Sequence, residues 1–481
     1  YKILQQFGFA PTQEQGQALD TFVSFLTDRD PQAVMILRGS AGTGKTSLSG
    51  AIVRTLLQIR QKVMLLAPTG RAAKVFSLGS GAPAYTIHRR IYREKAFAGV
   101  DGQFGLNDNL YTDTLFMVGE ASMIANMGLG GTTFGSGCLL DDLVKFVYQG
   151  HNDRLLLIGD KAQLPPVGEE ESPALSASVM EGYGLKVYEC DLNEVLRQSQ
   201  SSGILYNATL IRQMITHDAV TGLPLIRFKG FADIVMLPGA ELVESLGDSY
   251  HHVGMDETMV ITRSNKRANI YNNGIRNMVL DREEELSSGD MLMIVKNNYF
   301  WTEKEKKESG EGSAGAVPAF LANGDRAKVL RVSNYIELYG FRFATLLLQL
   351  PDYDDYEMQV TGMLDTLQSE APALTHEQQE ELFRQVEEDY QHFVPLKADR
   401  MKSIRQDAYF NALQIKYAYA VTCHKAQGGQ WAHVYVDQGY MTDDMLTPDY
   451  IHWLYTAFTR ATDKLFLVNW PKEQTCEPTD L

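Results

Sequence analysis

Residues 33–57 read AVMILRGSAGTGKTSLSGAIVRTLL, and the fold turns on how this stretch is read. AVMILRG (33–39) is apolar apart from Arg38, as suits a strand buried on both faces. GSAGTGKT (39–46) matches G-x-x-x-x-G-K-[ST], and SLSGAIVRTLL after it has the composition of a helix. Strand, glycine-rich turn and helix in that order form a phosphate cradle. Gly42, Thr43 and Gly44 offer backbone N–H groups, Lys45 reaches the β- and γ-phosphates, and Thr46 turns its hydroxyl to magnesium. A chance glycine-rich helix start would match the letters without this context. The expected ligands of the loop are a nucleoside triphosphate and Mg2+.

Working outward, the same strand-then-helix rhythm returns in KVMLLAPT (62–69), TLFMVGE (114–120) and RLLLIGD (154–160). A second series comprises TMVITRS (258–264), YAYAVT (417–422), HVYVD (433–437) and KLFLVNW (464–470). Continuous apolar strands alternating with helices predict parallel sheets covered on both faces, and two series predict two α/β domains. Between them, residues of about 286–410 are β-rich with Asn-Gly and Tyr-Gly turn signals, the pattern of an inserted β domain. Thr375 and Gln378 predict a capping box opening a helix over about 376–392. A hairpin insertion is expected at about 89–112, with Asp101-Gly102 as its turn signal. MGLGGTTFGSG (127–137) is expected to be a mobile loop.

Bulk composition sets bounds. With 481 residues, 44% hydrophobic and 22% charged, the chain reads as an ordinary multidomain globular protein. No apolar run reaches membrane-spanning length, so no membrane association is expected. Cys138, Cys190, Cys423 and Cys476 are far apart in sequence and form no metal-ligand spacing, which fits a reducing, cytoplasmic setting. A net charge of −16 argues against nucleic-acid binding through a general positive field. A basic channel in an acidic body remains compatible with it.

A phosphate cradle alone does not say what the nucleotide is for. PTQEQGQAL (11–19), APTGRAAK (67–74), TIHRR (86–90), GDKAQLPPVG (159–168), LNEVLRQ (192–198), TRSNKRANIYN (262–272), YAYAVTCHKAQGGQ (417–430) and YTAFTRA (455–461) follow in order. Together they resemble the superfamily 1 DNA helicases of the RecD/Dda type, over nearly the whole chain. The resemblance implies an α/β fold with two RecA-like P-loop domains, a β-hairpin pin and an inserted small β-barrel. It divides the chain into a first domain at 1–190, a second at 191–285 plus 411–481, and the insertion at 286–410. It also implies 5′→3′ movement on single-stranded DNA, binding at single-strand/duplex junctions, and partners among replication, repair or recombination proteins.

What the resemblance implies for single residues is weighed against plainer readings. Gln15 corresponds to the glutamine that meets adenine, and otherwise is a solvated helix residue. Glu120, at a strand's end, is placed to take a proton from the attacking water. Gln163 corresponds to the γ-phosphate sensor, and Gly428 to a nucleotide-side glycine. Arg197 and Arg460 are candidate arginine fingers, against the usual reading of an arginine as a surface ion pair. Thr69, Thr86, His88, Thr422, His424 and Lys425 are candidates for the DNA track, of a kind that binds phosphates without reading sequence. A lone His424 would otherwise be a satisfied buried histidine. Phe97 and Phe104 on the hairpin are candidates for strand separation, or for anchoring the hairpin on its own domain.

One position departs from the pattern. In LFMVGEASMI (115–124) Gly119 stands where such strands carry a magnesium-side aspartate. Lys45 and the loop amides are expected to bind ATP still, with magnesium held less well and turnover slowed. Gly119→Asp is expected to raise turnover most at low magnesium. The function expected is an ATP-dependent 5′→3′ DNA helicase. The alternatives are a nucleotide-dependent single-stranded DNA clamp with weak turnover, or the motor subunit of a RecBCD-like nuclease complex.

Overall fold

The structure is a computed structural model that describes residues 2–98, 101–127, 134–196, 201–216, 222–309, 317–318 and 320–476. The first α/β unit contains β1 (Ala33–Gly39), β2 (Lys62–Ala67), β3 (Ala84–Thr86), the hairpin β4 (Tyr92–Ala98) and β5 (Asp101–Leu106), β6 (Thr114–Val118), β7 (Arg154–Gly159) and β8 (Lys186–Leu192). Its six-stranded sheet has the order β3-β2-β6-β7-β1-β8 with every pairing parallel. The alternation of side chains along each strand divides the core. Val34, Ile36, Phe116, Val118, Leu155 and Leu157 pack on one face. Met35, Leu37, Leu115, Met117, Leu156 and Ile158 pack on the other. Both faces are covered, which explains why these strands read as unbroken apolar runs.

The second unit has β9 (Ile234–Leu237) and β10 (Thr258–Thr262), then a long excursion, before β16 to β18 complete it. The excursion is a closed barrel of β11 (Met291–Ile294), β12 (Arg326–Leu338), β13 (Phe341–Leu350), β14 (Tyr356–Met363) and β15 (Leu413–Tyr417). Then come β16 (Ala420–Thr422), β17 (Trp431–Asp437) and β18 (Ala461–Val468). The parallel order is β16-β10-β17-β18-β9. The chain is therefore α/β, with two parallel-sheet units, a hairpin insertion and a small β-barrel. The helix His376–Gln391 opens with the Thr375/Gln378 capping box, as the sequence predicts.

Two local readings need correction. The barrel closes with β15 at 413–417, beyond the β-rich interval, because this strand runs straight on into YAYAVT and shares its apolar character. Asp101-Gly102 is not the hairpin's turn: Asp101 pairs with Ala98 and Gly102 with Phe97, so both belong to β5. The pairing register, set across the ladder, takes both residues into the strand. Most of the predicted mobile loop, 128–133, lies outside the described residues.

Candidate functional site at the phosphate loop and the adjoining groove

β1 delivers the chain into the phosphate loop, and the helix Lys45–Gln58 leaves it. Gly42 (φ 76°) and Gly44 (φ 78°) take left-handed conformations that a side chain would strain. Gly44 has a second constraint, since a Cβ there would lie 2.5 Å from Gln15 Nε2. Gln15 is fully buried; its Nε2 donates to the Thr43 carbonyl (3.0 Å), and its Oε1 accepts from Thr12 N–H (2.9 Å). The glutamine thus braces the loop's backbone, and both ends of its amide are occupied. Thr43 Oγ1 donates to Ser40 O (2.7 Å), and Lys45 Nζ folds back to Gly39 O (3.2 Å). Thr46 follows Lys45 in the helix's first turn.

Glu120 stands just beyond β6 with φ 51°, a left-handed conformation that costs a non-glycine residue energy and that gathers at functional sites. Its Oε2 is buried without a hydrogen-bond partner, as are Gln163 Oε1 and Ser40 Oγ. Buried polar atoms are normally satisfied, so these three are open to a polar ligand. That is the fit expected of a phosphate-and-magnesium site. Among the described residues no group of three or more acidic, histidine or cysteine side chains could hold a metal. Magnesium bound with phosphates needs only one or two carboxylates.

Position 119 does not contribute one. A Cβ on Gly119 would lie 3.1 Å from Cδ1 of Phe76 and 3.4–3.5 Å from its Cγ and Cε1. The ring of Phe76 therefore crowds any side chain at position 119, and it must give by a few tenths of an ångström to admit one.

The second unit closes over the loop through contacts that sequence reasoning missed. Tyr455, fully buried on the helix Pro448–Phe458, accepts from Ala41 N–H (3.0 Å) and donates to Asp160 Oδ2 (2.5 Å). Thr456 Oγ1 accepts from Leu164 N–H (2.8 Å), His452 Nδ1 meets Ala162 O (2.8 Å), and Gln427 Nε2 donates to Leu164 O (2.6 Å). The segment 160–164 after β7 is thus stitched to the second unit. Burial raises the Asp160 carboxyl, opposed by the nearby Lys45 ammonium and the Tyr455 hydroxyl. Tyr455 and Gln427 lie inside motifs the sequence displays, yet nothing in the one-dimensional pattern says which residue reaches across.

Arg460 is only 2% exposed; its guanidinium donates to Gly429 O (2.7 Å) and Thr456 O (3.1 Å). The residue before Gly429, Gly428, has φ 74°, and a Cβ on it would lie 3.3 Å from Thr69 Oγ1 and 3.2 Å from Ala72 Cβ. Arg197 lies outside the described residues.

A groove of about 260 Å³ brings together Thr69, Thr86, His88, His424 and Lys425 from both units, with Phe320, Asn323 and Arg326 of the barrel excursion opposite. Thr422 borders an adjoining pocket with Lys416 and Lys425. The Thr69 and Thr86 hydroxyls cap their helices by accepting from Ala72 and Arg89 N–H (3.2 and 3.4 Å). Burial pushes the His88 imidazole down to about 4, so it is neutral near pH 7, and Phe134 packs edge-on against it at 4.9 Å. Desolvation lowers His424, with Asp449 opposing. Burial lowers the Lys425 ammonium to about 8, and it donates to Asn323 Oδ1. Phe104 turns inward, 5.0 Å from Phe134 and 4.2 Å from Tyr299. The side chain of Phe97 lies outside the described residues.

An AAA domain family model matches residues 11–222, and a UvrD-like helicase C-terminal domain model matches residues 417–468. The matches fall on both units, over the phosphate loop and over the segment that closes on it. Both matches agree with the superfamily 1 helicase resemblance of the sequence motifs. Over 157 residues it is 29% identical to the ATP-dependent RecD2 DNA helicase of Deinococcus radiodurans, covering 32% of this chain and 18% of that protein. Over 168 residues it is 33% identical to the uncharacterized protein MJ1519 of Methanocaldococcus jannaschii, covering 32% of this chain and 13% of that protein. The matched part is thus under a fifth of either relative. Among solved structures, a Pif1 helicase from Bacteroides in complex with ADP-AlF3 and ssDNA aligns with a TM-score of 0.46 at 13% identity, covering 98% of this chain and 95% of that one. No helix among the described residues is long and apolar enough to cross a membrane.

Proposed function

We propose that this RecD-like chain is an ATP-dependent DNA helicase that moves 5′→3′ on single-stranded DNA and opens duplex ahead of it. One observation supports the reading: residues picked from separate motifs of both units line one groove under the barrel, while the second unit touches the phosphate loop through Tyr455. Lys45 and the loop amides hold the phosphates, and Thr46 would hold magnesium, which when bound would neutralise part of their charge. Glu120 accepts a proton from the attacking water, and Gln163 reports the γ-phosphate to the segment stitched to the second unit. Thr69, Thr86, His88, Thr422, His424 and Lys425 grip the strand's phosphates. Arg197 and Arg460 act from the second unit as it closes. The direction of travel rests on the family resemblance. Replication, repair or recombination proteins are the proposed partners.

Gly119 and the Phe76 ring favour a second reading, a nucleotide-dependent DNA clamp with weak turnover. ATPase with and without oligo-dT, together with opening of a 5′-tailed duplex by the pure chain, separates the two. Strong stimulation and opening support the helicase. Binding with neither overturns it in favour of the clamp.

A further inference from the structure

The metal-side carboxylate that position 119 lacks has a candidate one strand away. β7 lies between β6 and β1, and Gly159 pairs with Arg38, one residue before the phosphate loop. Asp160 therefore emerges between the loop and Glu120. It is 3% exposed, and both Lys45 and Glu120 act on it electrostatically. Oδ1 accepts from Ala162 N–H (3.0 Å) and Oδ2 from the Tyr455 hydroxyl (2.5 Å). A carboxylate offers about four acceptor sites, so two remain. Among the described residues no arginine or lysine forms a salt bridge with Asp160, and the nearby Lys45 ammonium only partly opposes the cost of burying this carboxylate. Ser40 gives an independent pointer to a ligand. It lines the same cleft of about 990 Å³ as Asp160, is 8% exposed, and its Oγ has no partner.

We infer that Asp160 has taken over the carboxylate role on the metal side of the triphosphate site, because position 119 carries no side chain and the Phe76 ring crowds the space beside it. The inference rests on the nucleotide reading above. It makes Gly119 one half of a pair with Phe76 and predicts that the chain is not metal-blind. Magnesium would be held by Thr46, Asp160 and the phosphates, with Glu120 left to its proton.

The test uses Mn2+ as a paramagnetic probe, titrated by electron paramagnetic resonance into the full chain with ADP present. ADP binding is measured separately by calorimetry in EDTA. Asp160→Asn is expected to weaken Mn2+ binding by about tenfold or more, while metal-free ADP binding stays within about twofold. Tyr455→Phe removes the hydroxyl but keeps the carboxylate, and is expected to retain Mn2+ affinity within about threefold. A fall as large as that of Asp160→Asn would assign the effect to packing and overturn the inference, as would unchanged Mn2+ binding in Asp160→Asn.

A second pair of variants leaves Asp160 untouched. Gly119→Asp alone is expected to gain less Mn2+ affinity than Phe76→Ala with Gly119→Asp. Equal gains in both would overturn the role given to Phe76. Failure of the unsubstituted chain to bind ADP under any condition would instead overturn the nucleotide reading, and the inference with it.

Discussion

The cleft at the phosphate loop and the groove beneath the barrel lie between the same two sheets, yet they are built differently. The cleft is lined at neighbouring strand ends by Gly39, Ser40, Asp160 and Asp191, with Gly42 and Gly44 shaping the loop beside it. Its geometry follows from the parallel order β6-β7-β1, so it is fixed by the sheet itself. The groove is assembled from side chains of segments far apart in sequence, including Phe320 and Asn323 of the barrel excursion. Its charges are muted: the His88 imidazole is neutral, and Lys425 holds its proton only to about pH 8. The segment 160–164 separates the two places and touches both. It carries Asp160 on the cleft side, and it is bonded to Gln427, which borders the groove.

The comparison breaks most visibly if one change disables both places. Lys45→Ala is expected to reduce ATP hydrolysis on the order of a hundredfold or more, since a preorganised cation on the phosphates is lost. Oligo-dT affinity measured without nucleotide is expected to stay within about twofold. Fluorescence anisotropy beside a coupled ATPase assay checks both numbers. A parallel collapse of DNA binding would mean that the groove depends on the loop for its shape.

The next effect belongs to the groove alone. Folding lowers the Lys425 ammonium to about 8 from its usual range, so below that pH it is charged and above it neutral. The sign for stability follows. The buried charge counts against the folded state below pH 8, and this cost fades as pH rises past it. For DNA the sign is reversed, and oligo-dT affinity is expected to fall between pH 7 and 9. Lys425→Gln should flatten that profile and reduce the slope of log K against log salt by about 0.7.

A smaller effect tests the stitch between the two places. Tyr455→Phe leaves the Ala41 N–H and an Asp160 oxygen each short of a partner. Unmet buried groups of this kind cost about 1–3 kcal/mol. Calorimetry is expected to show a lower unfolding temperature, and the concentration of ATP giving half-maximal hydrolysis is expected to rise by several-fold. No change in either would mean the hydroxyl contacts add nothing to closure.

These two places also differ in how far the sequence reveals them. The loop was legible because its chemistry is local: GSAGTGKT puts every phosphate-facing group within eight residues, on a turn that needs glycine at two of them. The strands were legible because burial on both faces leaves unbroken apolar runs, and β1 spans the residues its pattern predicts. Tyr455, Asp160 and Phe76 were not legible as partners. Their roles arise from tertiary neighbours, and no local pattern marks which side chain crosses a gap. Phe320 and Asn323 were hidden for the same reason. The hairpin shows a different failure, in which a sound turn signal was displaced by ladder register.

The hairpin also supplies the finest test of where the groove ends. Phe104 is stacked on Phe134 and lies close to Tyr299 of the barrel excursion, and its carbonyl accepts from Gly135 N–H (2.7 Å). A ring held in this way ties β5 to Phe134 on one side and to the barrel excursion on the other. Each aromatic pair contributes about 0.5–1.5 kcal/mol beyond its buried area, so Phe104→Ala is expected to leave the fold intact. If the hairpin splits duplex by standing rigid against the junction, opening of a 5′-tailed duplex should slow by a few fold. Oligo-dT-stimulated ATPase should remain within about twofold, because neither the phosphate loop nor the Lys425 side of the groove touches this ring. Equal losses in both assays would place Phe104 in the strand's own path, and the groove would then extend to the hairpin's base.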